Sequence, residues 1–514
     1  MTHALGVDIG TTNVKVALVD DHAAVVASTS RALAMMHEGV AAEQDADLVW
    51  REIVDATREL VAAAPDAART VTSIGVCSQY SSIVPIGADC IPVGPLVMWF
   101  DTRGTDHSLE ILGREPTSFE TWVERHGIPP VGSGLSLGHI LYHQHDRPDL
   151  HERTVAYVEI MDAINARLTG RITATQTTMF TAQLCDNRTV GVTAYDDDLV
   201  RMAGVDADRL PPLIPVDGVA GELTAAAADE LGLPVGIEVR AGMNDSHAGA
   251  FATGAFGPGR GGLMIGTTAV LLESVDAMAV DLDHEIVSMP APLADRYVVW
   301  AENGVAGKAV QHIVEEFVFA DDELGAHAHP DGFERLEATL AATDPGAGDV
   351  LFLPWLAGSL SPSAVRAMRG GFLNIGFDTR RVDLVRAAVE GTAHNLAWLL
   401  PAVEAFSGAR IDEFAFGGGA ARSPGWAQIL ADVLDRPVLR LDRPDVAVAR
   451  AVGFVALART SGQEISETDA VVPIAARHEP DPSTRATHDA LQEQFEAAFV
   501  ALRPICEALN ASKI

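Results

Sequence analysis

The chain has 514 residues and a formal net charge of −35, from 71 acidic side chains against 36 basic ones. It is too long for one hydrophobic core, so two or three domains are expected; a surface this acidic repels phosphate backbones and anionic lipids, which excludes nucleic acid and a membrane surface as partners. With 48% hydrophobic residues and four scattered cysteines (Cys77, Cys90, Cys185, Cys506) that form no CxxC pair, it reads as a globular protein of a reducing, cytoplasmic compartment, without a disulfide scaffold or a zinc site.

The chain opens on "ALGVDIG" (4–10) and "NVKVALVD" (13–20), two β-rich runs joined by Gly-Thr-Thr. Apolar residues fall on both faces of the second run, which predicts a buried hairpin. A helix follows over 47–63, then a buried strand within 73–87 that runs into a functional loop. Helices are expected over 133–147 and 222–231, with a Pro-rich loop at 210–223 and a strand at 237–245. The glycine-rich stretch 249–262 is the best place for an interdomain connection. The second half restarts with the hairpin pattern "GGLMIGTTAVLLES". A helical period runs over 381–400, and 414–434 reads as strand, glycine turn and helix. Leu491, Phe495, Phe499 and Leu502 mark an amphipathic helix at the C-terminus.

The tetrapeptide Ile9-Gly10-Thr11-Thr12 thus returns as Ile265-Gly266-Thr267-Thr268, half a chain later. A Gly-Thr-Thr turn between strands presents backbone N–H groups and hydroxyls to a phosphate without needing a lysine. Two such turns at matched places point to a duplicated domain with a polyphosphate held between the copies. Neither a P-loop nor a dinucleotide fingerprint is present.

"VDIGTTNVKVALVD", "NDSHAGAFATGAF", "GLMIGTTAVLL" and "FGGGAARSPGWAQILADVLDRPV" occur in the order seen in the FGGY carbohydrate kinases, which the chain resembles along nearly its whole length. Xylulokinases have the most similar motif spacing. The resemblance implies an α/β fold of two duplicated ribonuclease-H-like, actin-like ATPase domains with a cleft between them. The expected domains are 1–248, with the sugar site, first phosphate turn and catalytic Asp, and 249–514, with the second turn and adenosine site. It implies ATP and Mg²⁺ as cofactors and a small sugar or polyol as partner; a homodimer is compatible with it.

Residue by residue, the resemblance assigns Asp245 as the base that accepts the proton of the attacking hydroxyl. Asp8, inside an apolar strand where a bare carboxylate is costly, is assigned with Asp245 to Mg²⁺. Thr11, Thr12, Lys15, Gly266, Thr267 and Thr268 are assigned to the ATP phosphates, and Gly417, Gly418 and Gly419 to the adenosine. Gln79, Tyr80, Trp99, Asp101, Arg103 and Asn244 are assigned to the sugar, with Glu302 and Gly307 lining the cleft. The sugar-facing loop departs from the family: Gln79 is kept, but Met-His-Gly has become Tyr80-Ser81-Ser82, and Gly-Glu-Arg has become Gly358-Ser359-Leu360. The expected activity is phosphorylation of a hydroxyl on a ketopentose such as xylulose, with another pentulose, a tetritol or a sugar acid as alternative acceptors. The alternative class is an actin-like nucleotide switch, or a sugar-binding regulator without kinase activity.

Overall fold

The computed structural model describes residues 2–114, 116–132, 134–318, 332–463, 465 and 471–511. Its frame is two mixed β-sheets built on one plan. In the first, the strands lie in the order Val219–Glu222, Glu238–Arg240, Val71–Ser78, His3–Ile9, Asn13–Asp20 and Val25–Ala32. In the second, Ile474–His478, Val438–Leu441, Glu413–Gly417, Arg260–Ile265, Thr268–Val275 and Tyr297–Val305 follow in the corresponding order. Both series run antiparallel, parallel, parallel, antiparallel, antiparallel from that edge. The duplication read from one tetrapeptide therefore extends strand for strand.

Each sheet is covered on both faces, which is why the hairpin strands are apolar on both sides; every residue of His3–Ile9 is buried. One face of each sheet is closed by a helix from the other half of the chain. The helix Ala447–Ser461 lies on the first sheet, and the helix Asp245–Thr253 lies on the second; the two helices also pack on each other. Glycines permit the approach. A Cβ on Gly6 would lie 1.9 Å from the Ala449 carbonyl oxygen, and one on Gly262 would lie 2.5 Å from Thr253 Oγ1.

The first half also carries a five-stranded sheet, ordered Met36–Glu38, Ala41–Gln44, Leu96–Val97, Ile83–Ile86 and Ala156–Glu159. Residues 79–82 bridge the main sheet to it, so the expected sugar loop sits between two sheets. No helix among the described residues is long and apolar enough to cross a membrane.

Several expected elements shift, each for a local reason. Asp45 caps the first long helix, which runs Ala46–Ala63. The helix expected from 222 begins at Ala225, because the Thr224 side chain accepts the Ala227 N–H, and the preceding loop yields the edge strand Val219–Glu222. The strand expected over 237–245 splits into Glu238–Arg240 and Met243–Asn244, and Asp245 is already helical. The expected domain division at 248/249 falls inside the helix Asp245–Thr253, which ends at the left-handed Gly254. The helix expected over 381–400 continues through Pro401 to Ser407.

Candidate active site

The two identical tetrapeptides close as different turns. In the first, Ile9 opposes Val14 and Gly10 N–H donates to the Asn13 carbonyl at 2.9 Å. In the second, Ile265 opposes Ala269 and Gly266 N–H donates to the Thr268 carbonyl at 2.9 Å, one residue tighter. Both leave their tips open: Thr12, Gly266 and Thr267 are exposed. The second turn is braced from behind, where the Thr267 carbonyl accepts the Ala306 and Lys308 N–H groups at 3.1 and 3.3 Å. Gly307 fits there because a Cβ would sit 2.1 Å from the Gly266 oxygen. The glycine loop lies against the root of this turn: a Cβ on Gly418 would fall 2.5 Å from the Ile265 oxygen, while Gly419 faces open space. Gly417 ends the strand beside Met264. Turn and loop thus form one continuous backbone surface.

Two carboxylates stand at the junction of the halves. Asp8 is buried at 7% exposure, opposite Lys15 in the hairpin register and beside Cys77 in the parallel one. Burial raises its pKa, and Lys15, whose Nζ is 3.8 Å from Oδ2, works against that rise. Lys15, expected on the phosphates, faces Asp8 in this structure. Asp245 is the first residue of its helix, but Asn244 is the cap, its Oδ1 accepting the Ser246 N–H at 2.7 Å. Asn244, expected to touch sugar, is 1% exposed and spends its amide nitrogen on the Ser78 carbonyl at 3.3 Å. The Asp245 carboxyl is pushed up to about 7, by burial first, then by the negative field of Asp8, with Glu302 adding to it and hydrogen bonds from Ser246 opposing it. A proton acceptor tuned near neutrality is the property a general base needs.

Among the described residues no group of three or more His, Cys, Asp or Glu side chains is placed to hold a metal. Two carboxylates, one of which raises the proton affinity of the other, are nonetheless the share Mg²⁺ takes from a protein when phosphates and water complete its shell. Asp8 and Asp245 fit that ion.

The sugar-side residues divide into two sets. Thr11 ties the first turn to the sugar loop: its hydroxyl donates to Gln79 Oε1 at 2.5 Å and accepts from Trp99 Nε1 at 3.1 Å. Gln44 Nε2 donates to the Thr11 carbonyl at 2.8 Å. Gln79 and Trp99 are therefore held beside the phosphate turn. Tyr80 is different, because its hydroxyl donates to the Thr177 carbonyl at 2.7 Å and its ring packs with Phe180 and Trp300. Asp101 and Arg103, also expected on the sugar, form an internal hydrogen-bonded cluster. Asp101 accepts the Ala42 and Arg103 N–H groups, both at 2.9 Å, while Arg103 donates to Tyr142 Oη at 2.8 Å and Glu43 Oε1 at 2.6 Å. Burial opposes the charge on Asp101, and hydrogen bonds from Arg103 and Ala42 outweigh it, leaving its pKa lowered. These bonds fix the loop that carries Asp101 and Arg103 and leave one N–H of Arg103 Nη1 without a hydrogen-bond partner among the described residues.

One carboxylate of this neighbourhood escaped the sequence reading. Glu159 is fully buried and accepts from Ser82 N–H at 2.8 Å, Ser136 Oγ and Thr181 Oγ1, the last at 3.2 Å. It fixes the altered Tyr80-Ser81-Ser82 loop to two other segments. An acidic residue inside the apolar run "AYVEIM" was the available signal, the same one that marked Asp8.

Models of the N-terminal and C-terminal domains of the FGGY family of carbohydrate kinases match residues 3–252 and 262–460, in that order. The chain belongs to the FGGY family of carbohydrate kinases. It is accordingly a sugar kinase, a phosphotransferase for which the family implies ATP as donor. Across 515 aligned residues the kinase is 24% identical to a xylulose kinase of Staphylococcus epidermidis, covering 99% of this chain and 97% of that one. It is 23% identical to a gluconokinase of Bacillus subtilis, covering 91% and 90%. In fold it is similar to a crystal structure named as a xyloylose kinase from Brucella ovis, with a TM-score of 0.84, 22% identity and coverage of 98% and 100%.

Proposed function

We propose that this kinase transfers the γ-phosphoryl group of ATP to a hydroxyl of a ketopentose such as xylulose, with Asp245 accepting the hydroxyl proton. The observation that carries the reading is Asp245 itself: a carboxylate at a helix start, raised to about 7 by burial and by Asp8. The exposed tips of the two Gly-Thr-Thr turns take the phosphates through backbone N–H groups, and the Gly417–Gly419 loop takes the adenosine. Mg²⁺, when bound, would be held by Asp8 and Asp245 and would neutralise phosphate charge. Gln79 and Trp99, fastened to Thr11, hold the acceptor next to the phosphate turn, so sugar and phosphate positions are set by one hydrogen-bonded unit.

We place the domain boundary in the turn between Thr253 and Arg260, and the protein in the cytoplasm, where its four free, buried cysteines would stay reduced. A second reading, a sugar acid as acceptor, draws on the gluconokinase relative. The test is Mg²⁺-dependent ADP release from ATP against ketopentoses, alditols and aldonates, for the parent protein and Asp245→Asn. The expected result is turnover on a ketopentose, lost by about 10²–10⁴-fold in the variant while ATP binding persists. Near-parental turnover of Asp245→Asn would remove Asp245 from the chemistry.

A further inference from the structure

A cavity of about 410 Å³ lies between the two halves. Ile128, Pro129 and Leu135 of the first half form one wall, and Trp300, Glu302 and Leu360 of the second form the other. It borders the sugar loop, and one of its carboxylates acts on Asp245. The Trp300 ring centroid is 6.3 Å from that of Tyr80 in the sugar loop, and Glu302 belongs to the field that lifts Asp245. A cavity of this size accepts a sugar of five or six carbons, with the Trp300 face for its C–H surface.

Its charged lining is one-sided. Asp281, Glu285 and Glu302 line it, and among the described residues no lysine or arginine does. The three acids are not equivalent. Asp281 Oδ2 is 2.7 Å from His284 Nδ1, so that charge is engaged. Glu285 is desolvated but feels the positive field of Arg366. On Glu302 only burial acts, and among the described residues no hydrogen bond and no counter-charge offsets it.

We propose that Glu302 is a specificity-determining residue of the acceptor pocket, whose carboxylate receives hydroxyl hydrogen bonds from a neutral ketose or alditol and excludes sugar acids. This rests on the sugar-kinase reading and narrows its acceptor class. A carboxylate accepts hydrogen bonds only, and so matches hydroxyl donors. An aldonate carboxylate would instead be desolvated beside a like charge that has nothing to neutralise it. At about 6 Å and an effective dielectric constant of about 20, that repulsion amounts to roughly a hundredfold in binding.

The experiment compares kcat/KM for matched neutral and acidic acceptors, namely ketopentoses and pentitols against pentonates and gluconate, in the full chain and in Glu302→Gln. The parent is expected to favour the neutral class by about a hundredfold. Glu302→Gln should narrow that ratio at least tenfold, mostly through KM for the acids. Turnover of aldonates at or above the neutral class overturns this inference and leaves the kinase reading standing. An unmoved ratio in Glu302→Gln overturns the role of Glu302. Silence on the whole panel defeats the kinase reading, and this inference falls with it.

Discussion

Gly6 offers the sharpest test of how the two halves are joined. It is paired with Gly75 on the neighbouring strand, and both press against the helix Ala447–Ser461. A Cβ at residue 6 would lie 1.9 Å from the Ala449 oxygen and 2.9 Å from the Gly453 nitrogen, so backbone meets side chain with nothing flexible to yield. Carbon and carbonyl oxygen rest no closer than about 3.3 Å, so Gly6→Ala requires the helix to retreat by more than about 1 Å. The cost should lie at or above the top of the overpacking range, about 3 kcal/mol. The displaced helix packs on Asp245–Thr253, so the shift reaches the carboxylate proposed as the base. A misplacement of that size costs on the order of a hundredfold in rate. Thermal unfolding and kcat would be measured together, with Gly113→Ala as the control. Gly113 is exposed on a helix with nothing within 4 Å, so alanine there should stabilise by about 0.5–1 kcal/mol. Ala449→Gly should not rescue Gly6→Ala, because the clash is with backbone. A Gly6→Ala protein that melts within a degree of the parent and turns over at full rate would refute the reasoning.

Four further outcomes follow from the site. Because Asp245 is raised to about 7, its proton-accepting form gathers as pH rises, so kcat/KM should climb with a midpoint near 7; Asp8→Asn should lower that midpoint by removing the neighbouring negative charge. Burial raises Glu159 to about 7, so its contribution to stability is whole below about 4.5 and is lost as pH rises through about 7, a change of about 3 kcal/mol. Urea unfolding at about pH 5 and pH 8 should therefore differ less in Glu159→Gln than in the parent. Arg103→Met strands the buried Asp101 and should destabilise by about 3–5 kcal/mol, with unfolding more affected than the KM for sugar in whatever activity survives. Trp99→Phe removes the donor to Thr11 Oγ1 and should lower kcat/KM about fivefold, the worth of one hydrogen bond near 1 kcal/mol.

The architecture was readable because duplication leaves a repeated string, and because strands covered on both faces carry apolar residues without alternation. Asp8 was readable for a related reason: a carboxylate in an apolar strand demands a partner. The sugar side was harder, since residue type does not reveal whether a polar group is already spent. Asp101 and Arg103 have the chemistry of sugar ligands, yet Ala42, Glu43 and Tyr142, distant in sequence, take part of their hydrogen bonds. Asn244 and Asp245 are adjacent and both suit a helix cap; only the backbone shows that Asn244 takes it. The two Gly-Thr-Thr turns also could not be told apart by sequence, because their register is set by the strands that flank them.

The exchange of covering helices has a consequence for how the protein is made. Ala4, Ala17 and Val19 on the first sheet form one apolar cluster with Ala449 and Leu457. A ribosome adding about 5–20 residues per second would release the first sheet tens of seconds before the helix that covers it. For that interval the nascent first half presents a flat apolar surface, the kind of surface that chaperones hold and aggregates grow from. Each half can form its own strands; neither is finished until the other has been made.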